Sequence, residues 1–246
     1  MRKIMLLAAT LAGSWLGQAQ AAPFVSAQFS TDAAFLTYLG AQGVTLPADE
    51  VFVAQARGGN NRANGDYEIG LHVPPSFTNA GPVGTAGQKV WGTAGGANAF
   101  VPFSLTRTGG SVTFAMAGYS GTYGGASALD ALGFRVRSES SGNSTEIRNV
   151  ALDGNALPGA SLLAANGGLD FVVIGGLAGD FTLTGEASLN WATGAIPGGS
   201  RLGFQIKGID GLTPVPEPAS AALLLTGMAG LALLRGRRRR TGPARA

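Results

Sequence analysis

His72 is the only imidazole in the sequence, so a Ser-His-Asp arrangement would have to run through it. Tyr67, Ile69, Leu71 and Val73 alternate with Glu68, Gly70 and His72. A strand of that pattern puts His72 on its polar side, as a solvated residue. No carboxylate is spaced to orient it. Gly118-Tyr119-Ser120-Gly121 departs by one residue from the G-x-S-x-G elbow of serine hydrolases. The absence of cysteine excludes thiol catalysis and thiolate metal sites, and a single histidine argues against a zinc centre. Carboxylates occur as the neighbours Asp49-Glu50 and as Asp66 with Glu68 on one strand face. Glycoside hydrolysis needs two such groups at a set separation across a cleft, which adjacent positions do not encode. Oxygen ligands are densest at Asn60, Asn61, Asn64, Asp66 and Glu68, with Gly58, Gly59 and Gly65 between them. Calcium takes such ligands. The segment lacks the spacing of an EF-hand loop, and Asn with Gly is equally the chemistry of a hairpin turn, which is the favoured reading. No catalytic residue is assigned, and no metal or cofactor is expected. The sequon Asn143-Ser144-Thr145 is read as an ordinary polar loop.

The elements that would carry these residues are strands. Between the chain's two ends lie 191 residues, 22–212, enough for one domain with its own core. The chain has 40 glycines, and packing without disulfides must hold it. Asp180 to Trp191 alternates over twelve residues, with Phe181, Leu183, Gly185, Ala187, Leu189 and Trp191 on one face. Period two of this length marks a half-buried antiparallel strand. Arg201–Ile209 and Ser111–Met116 repeat it, and Arg107-Thr108-Gly109-Gly110 is the turn of a hairpin with Ala99–Leu105. Further strands are expected at Val51–Ala56, Tyr67–Val73, Leu132–Arg137, Glu146–Leu152 and Leu169–Ile174. One helix is expected, capped by Thr31 or Asp32, running over Ala33–Leu39 and stopped by Gly40, with Phe35, Leu36 and Leu39 on its packed face. Thr78–Gly96 reads as a long surface loop and Ala156–Gly168 as a loop with a short helical turn. The pattern as a whole predicts an all-β chain: an antiparallel β-sandwich, jelly-roll-like, with one short N-terminal helix and a C-terminal transmembrane helix.

The ends carry signals of a different kind. Arg2 and Lys3 precede the apolar stretch Ile4–Leu16, and Ala19-Gln20-Ala21 is a small-x-small site. This is the layout of a secretory signal peptide, residues 1–21, cut after Ala21. Near the other end, Pro214-Val215-Pro216-Glu217-Pro218 leads into an apolar run, Ala219–Leu234, and then Arg235, Arg237, Arg238, Arg239 and Arg240. Sixteen residues make a helix of about 24 Å. A bilayer core of about 30 Å asks for about 20 residues, so this span is short for a lasting anchor. Arginines in that number stay on the cytoplasmic side, which puts the body outside the cytoplasm.

Charge separates body from ends. The whole chain is formally +3, from 17 basic and 14 acidic residues. Eight of the basic residues are Arg2, Lys3, the five clustered arginines and Arg245. Residues 22–212 keep nine basic against 13 acidic, a net of −4. The body has no basic stripe, which excludes a nucleic-acid partner.

The order of Val215-Pro216-Glu217-Pro218, apolar helix at 219–234 and arginine cluster resembles the PEP-CTERM sorting signal of Gram-negative bacteria, over residues 213–246. The resemblance implies recognition by an exosortase in the inner membrane and processing near the Pro-Glu-Pro strip. It also implies a mature protein at the cell surface or in an exopolysaccharide, biofilm or floc matrix. The strip suits processing physically: Pro216 and Pro218 hold it extended and remove backbone donors, leaving Glu217 as its charged handle. The body resembles the choice-of-anchor domains, type W, through Asp32-Ala33-Ala34-Phe35, Val51-Phe52-Val53-Ala54-Gln55 and Asp66-Tyr67-Glu68-Ile69-Gly70. That resemblance implies an exported β domain and no particular activity. The expectation is an exported, non-enzymatic surface or matrix protein. The alternative is a carbohydrate-binding module or secreted hydrolase on the same scaffold, with Trp91, Tyr119 and Tyr123 as stacking aromatics.

Overall fold

The alternating stretch at 180–191 forms a ten-residue strand, Phe181–Asn190, in the middle of one of two antiparallel sheets. In this computed structural model the described residues are 23–61, 66–74, 81–91, 99–138, 141–192, 197 and 202–212, with backbone alone at 59–61, 66–68 and 88–90. In chain order the elements are β1 (Phe24–Val25), α1 (Asp32–Ala41), β2 (Glu50–Asn61), β3 (Asp66–His72) and β4 (Gly87–Val90). There follow β5 (Val101–Thr108), β6 (Ser111–Met116), β7 (Tyr119–Tyr123), β8 (Ala131–Arg137) and β9 (Ser144–Leu152). The last are β10 (Asn155–Ala156), β11 (Leu162–Ala165), β12 (Leu169–Gly175), β13 (Phe181–Asn190) and β14 (Gly203–Ile209).

The first sheet runs β1-β12-β8-β14-β2-β3-β4. The second runs β10-β9-β13-β5-β6-β7, with β11 also paired to β9. The chain passes from sheet to sheet between β4 and β5, β7 and β8, β8 and β9, β11 and β12, β12 and β13, and β13 and β14. β14 inserts between β8 and β2, so the first sheet closes only with the last described strand.

The two inner faces share one core. Phe52, Phe134, Phe204 and Ile206 come from the first sheet, and Phe103, Leu105, Phe114, Leu183 and Leu189 from the second. Phe103 and Phe204 meet across it with ring centroids 5.7 Å apart. Each fully buried side chain of this size contributes about 1.5–3 kcal/mol. The result is a sandwich-like all-β body with one helix.

The hairpin β5–β6 turns on Gly109-Gly110 alone, with Thr108 opposite Ser111. Both glycines have positive φ, +55° and +81°, as a two-residue turn of this hand requires. Arg107, expected in the turn, is instead an inward strand residue and is buried. It donates to the carbonyls of Leu129 and Ser127, each at 2.7 Å, and so ties the 124–130 segment to the end of the core.

Thr31 caps α1, its hydroxyl accepting from the Ala34 N–H at 3.1 Å. Gly40 does not stop the helix, which runs to Ala41. The helix packs on the outer face of the first sheet. There Phe35 and Leu39 join Phe171, Val173, Ile209 and Leu212 in a second apolar cluster. Phe35 stacks on Phe171 at 4.8 Å and 18°. A Cβ at Gly133 would come within 3.2 Å of Phe35, so glycine there lets the helix sit close. Leu36, expected on the packed face, is 48% exposed. At two positions local composition lost to pairing. Within the expected loop at 78–96, residues 81–91 contain β4, held by β3, and fully buried Trp91, while 78–80 and 92–96 lie outside the described residues. The expected helical turn at 156–168 is replaced by β10 and β11, both drawn into strand by β9.

Among the described residues no helix is long and apolar enough to cross a membrane; the run 219–234 lies outside them.

Candidate functional site

Polar side chains converge on the outer face of the first sheet. Register places Arg135 opposite Gln205, Gln205 opposite Gln55, and Gln55 opposite Gly70, two residues from His72. The side chains form a directed chain across four strands. Arg135 Nη1 donates to Gln205 Oε1 at 3.4 Å, and Gln205 Nε2 donates to Gln55 Oε1 at 3.0 Å. Gln55 Nε2 lies 2.8 Å from His72 Nε2. An amide nitrogen can only donate, so this contact closes the chain when the His72 nitrogen takes the acceptor role.

His72 is buried, not solvated as its strand parity suggested. The alternation was right about which side it faces and wrong about what lies there. The segment before β4 crosses over β3, and a Cβ at Gly70 would collide with Pro82. Val83 N–H donates to the Leu71 carbonyl at 2.7 Å. The Tyr119 hydroxyl locks the crossing, donating to Val83 O at 2.8 Å and accepting from Leu71 N–H at 2.9 Å. Burial pushes the Tyr119 phenol up from its ordinary pKa, against that backbone bond.

The chain of amides ends at a cleft of about 340 Å³ between α1, the Leu46–Pro47 turn and the sheet. Asp32, Glu50, Arg135, Gln205 and Lys207 line it, beside Phe171. The Glu50 carboxylate is 4% exposed and in direct contact with the Lys207 ammonium. Arg135 lies with its guanidinium carbon 5.6 Å from the Phe171 ring centroid. Its Nη2 is 3.5 Å from Asp32 Oδ1, and its buried Nε has no hydrogen-bond partner among the described residues. Burial lowers the Arg135 pKa from its ordinary value, with Asp32 opposing the shift. The group nonetheless stays charged. Two cations and two carboxylates therefore face one small space. The set offers charged donors and acceptors to a small polar molecule.

The second sheet's outer face is chemically unlike this. Thr182, Thr106, Thr113 and Thr122 stand opposite one another across β13, β5, β6 and β7. Thr184, Ser104, Ala115 and Ser120 form the next row. Thr113 and Thr122 hydroxyls are 2.8 Å apart, and those of Thr106 and Thr182 3.5 Å. These rows carry no charge, and a shallow groove of about 620 Å³ runs over Ser104, Ala115, Ser120 and Thr184.

Of the residues singled out in the sequence, Ala19, Ala21, Val215, Pro216, Glu217, Pro218 and the five arginines lie outside the described residues. So does Asn64, while Asn60, Asp66 and Glu68 are described by backbone alone. Among the described residues no group of three acidic or histidine side chains is placed to hold a metal. Asp49 and Glu50 do not act together: Asp49 accepts from Thr45 N–H at 2.6 Å, while Glu50 turns to Lys207. The aromatics proposed for sugar stacking are corrected. Trp91 and Tyr119 are buried, and Tyr123 packs against the main core. Asn143 and Thr145, read as loop, are buried at the start of β9, where Thr145 Oγ1 donates to the Arg137 carbonyl at 2.7 Å. The cleft was missed altogether; Asp32, Glu50, Arg135, Gln205 and Lys207 share no motif or spacing. Comparison with protein-family models, with curated proteins and with solved structures returned no match.

Proposed function

We propose that the chain is an exported, non-enzymatic surface or extracellular-matrix protein, sorted through a PEP-CTERM-type tail. The N-terminal signal takes the body across the inner membrane, and 219–234 holds the precursor there with its arginines on the cytoplasmic side. An exosortase then acts at Val215-Pro216-Glu217-Pro218. The jelly-roll-like body, a type W choice-of-anchor domain on this reading, goes to the cell surface or into an exopolysaccharide or biofilm matrix.

The observation that carries the reading is the order of the three tail parts, which begins directly after Leu212. The acidic body between basic ends supports it, since the positive charge is confined to the segments a membrane would read. Glu217→Ala should leave export intact and block removal of the C-terminal segment. Fractionation and C-terminal sequencing of the mature protein read both. A tail removed at the normal rate in the variant would sink the role of Glu217. An unexported wild-type chain would sink the whole reading. The rival, a carbohydrate-binding module, is favoured by the uncharged hydroxyl rows on β13, β5, β6 and β7.

A further inference from the structure

We infer that the cleft between Arg135 and Lys207 binds a carboxylate-bearing sugar, a uronate unit of an acidic polysaccharide. The choice of a sugar rests on the matrix reading above; the site itself rests on the geometry.

Arg135 is under-used. A guanidinium has five donors in a planar fork. Here Nη1 reaches Gln205 at 3.4 Å, Nη2 reaches Asp32 at 3.5 Å, and buried Nε reaches nothing among the described residues. Charge-assisted bonds between such groups run at about 2.7–2.9 Å, shorter than either of these contacts. An incoming carboxylate can take both Nη groups side by side, which is the geometry the fork matches. Asp32 yields easily, because its side chain is 57% exposed and only loosely engaged. Lys207 stands in the same cleft, and Glu50 uses one of its three donors.

The two carboxylates select against more highly charged ligands. A phosphate monoester would bring about two negative charges beside Asp32 and the buried Glu50, with one cation already committed. A single carboxylate brings one charge, which Arg135 can take as Asp32 swings toward solvent. Glu50, Asp32 and Gln205 then offer acceptors, and Gln205 and Lys207 donors, for the hydroxyls that surround a sugar carboxylate. Leu36, Leu46 and Pro47 give an apolar rim for the C–H face of the ring. About 340 Å³ is at the small end of the ~300–1,000 Å³ of ligand sites and suits one or two rings.

The test is titration of the purified full chain, in detergent, with oligogalacturonate, its methyl ester, and acetate, read by calorimetry. Oligogalacturonate should bind, and the uncharged methyl ester should bind at least tenfold more weakly. Arg135→Gln should lose at least tenfold in affinity with the unfolding midpoint nearly unchanged. If that variant does not fold, Leu36→Glu, a charge placed on an exposed rim residue, should weaken binding in the same way. Equal affinity for acid and ester, equal affinity for acetate, or wild-type binding in the folded variants would each overturn the inference. Absent binding with normal tail processing removes this site and leaves the proposed sorting intact. Binding by a chain that is never exported does the reverse.

Discussion

The two outer faces of the sandwich are built from strands of similar length and opposite chemistry. On the first sheet the outer face is covered: α1 lies over β12 and β8, and the 81–84 segment lies over β3. Cover lowers the local dielectric and favours pairing of charges, as of Glu50 with Lys207, and linking of amides, as of Gln55 with Gln205, while Arg135 keeps only long contacts. On the second sheet the outer face is open and carries hydroxyls that water can serve equally well. Its ion pair, Arg148 with Glu186, sits at 3.0 Å but with side chains 43% and 34% exposed. Polar groups under cover fix geometry and can discriminate a ligand; polar groups in the open mainly keep the surface soluble.

The sharpest break of this comparison is to remove the cation from each pair. Lys207→Met leaves a buried carboxylate unpaired and should cost about 3–5 kcal/mol in urea unfolding. Adding Glu50→Leu should recover most of it, because the uncompensated charge is then gone. Arg148→Met should cost about 0–1 kcal/mol, as exposed pairs do. Similar losses at Lys207 and Arg148 would show that the first face is not dry.

The helix gives the next largest contrast, within one element. Leu39→Ala removes a buried side chain from under α1 and should cost about 2–5 kcal/mol. Leu36→Ala, at an exposed position, should stay within about 0.5 kcal/mol. If the two are equal in thermal unfolding, α1 does not hold its place on the sheet by Phe35 and Leu39.

The same difference explains what the sequence could reveal. β6 and β13 were legible because one side of each meets the core and the other meets water, and alternation reports that contrast. β12 and the end of β14 are buried on both sides, so their alternation fades. His72 and Gln55 follow the parity rule and still lie buried, because parity tells which way a side chain points and not what covers it. Part of that cover is residues 81–84, held over β3 by Val83 and Pro82. The cleft was illegible for the same reason. Its charges come from positions 32, 50, 135 and 207, joined only when β14 enters between β8 and β2. The reading of the tail rests on linear order alone, and its residues lie outside the described ones.

The smallest expected effect tests the open face. Thr113 lies in the middle of the hydroxyl row, 2.8 Å from the Thr122 hydroxyl and half-exposed. Thr113→Val keeps the branched shape that suits a strand and deletes one hydroxyl. Thr122 then turns its hydroxyl to water, so no polar group is stranded. Stability in urea should change by less than about 0.5 kcal/mol, and thermal unfolding should stay a single transition. The same edit on the covered face should behave otherwise. Gln55→Leu removes an acceptor from Gln205 and a donor from His72, both in the interior of the relay, and should cost about 1–3 kcal/mol. Were Thr113→Val to cost as much, the hydroxyl row would be a packed, partnered surface, and openness could no longer be what separates the two sides of this sandwich.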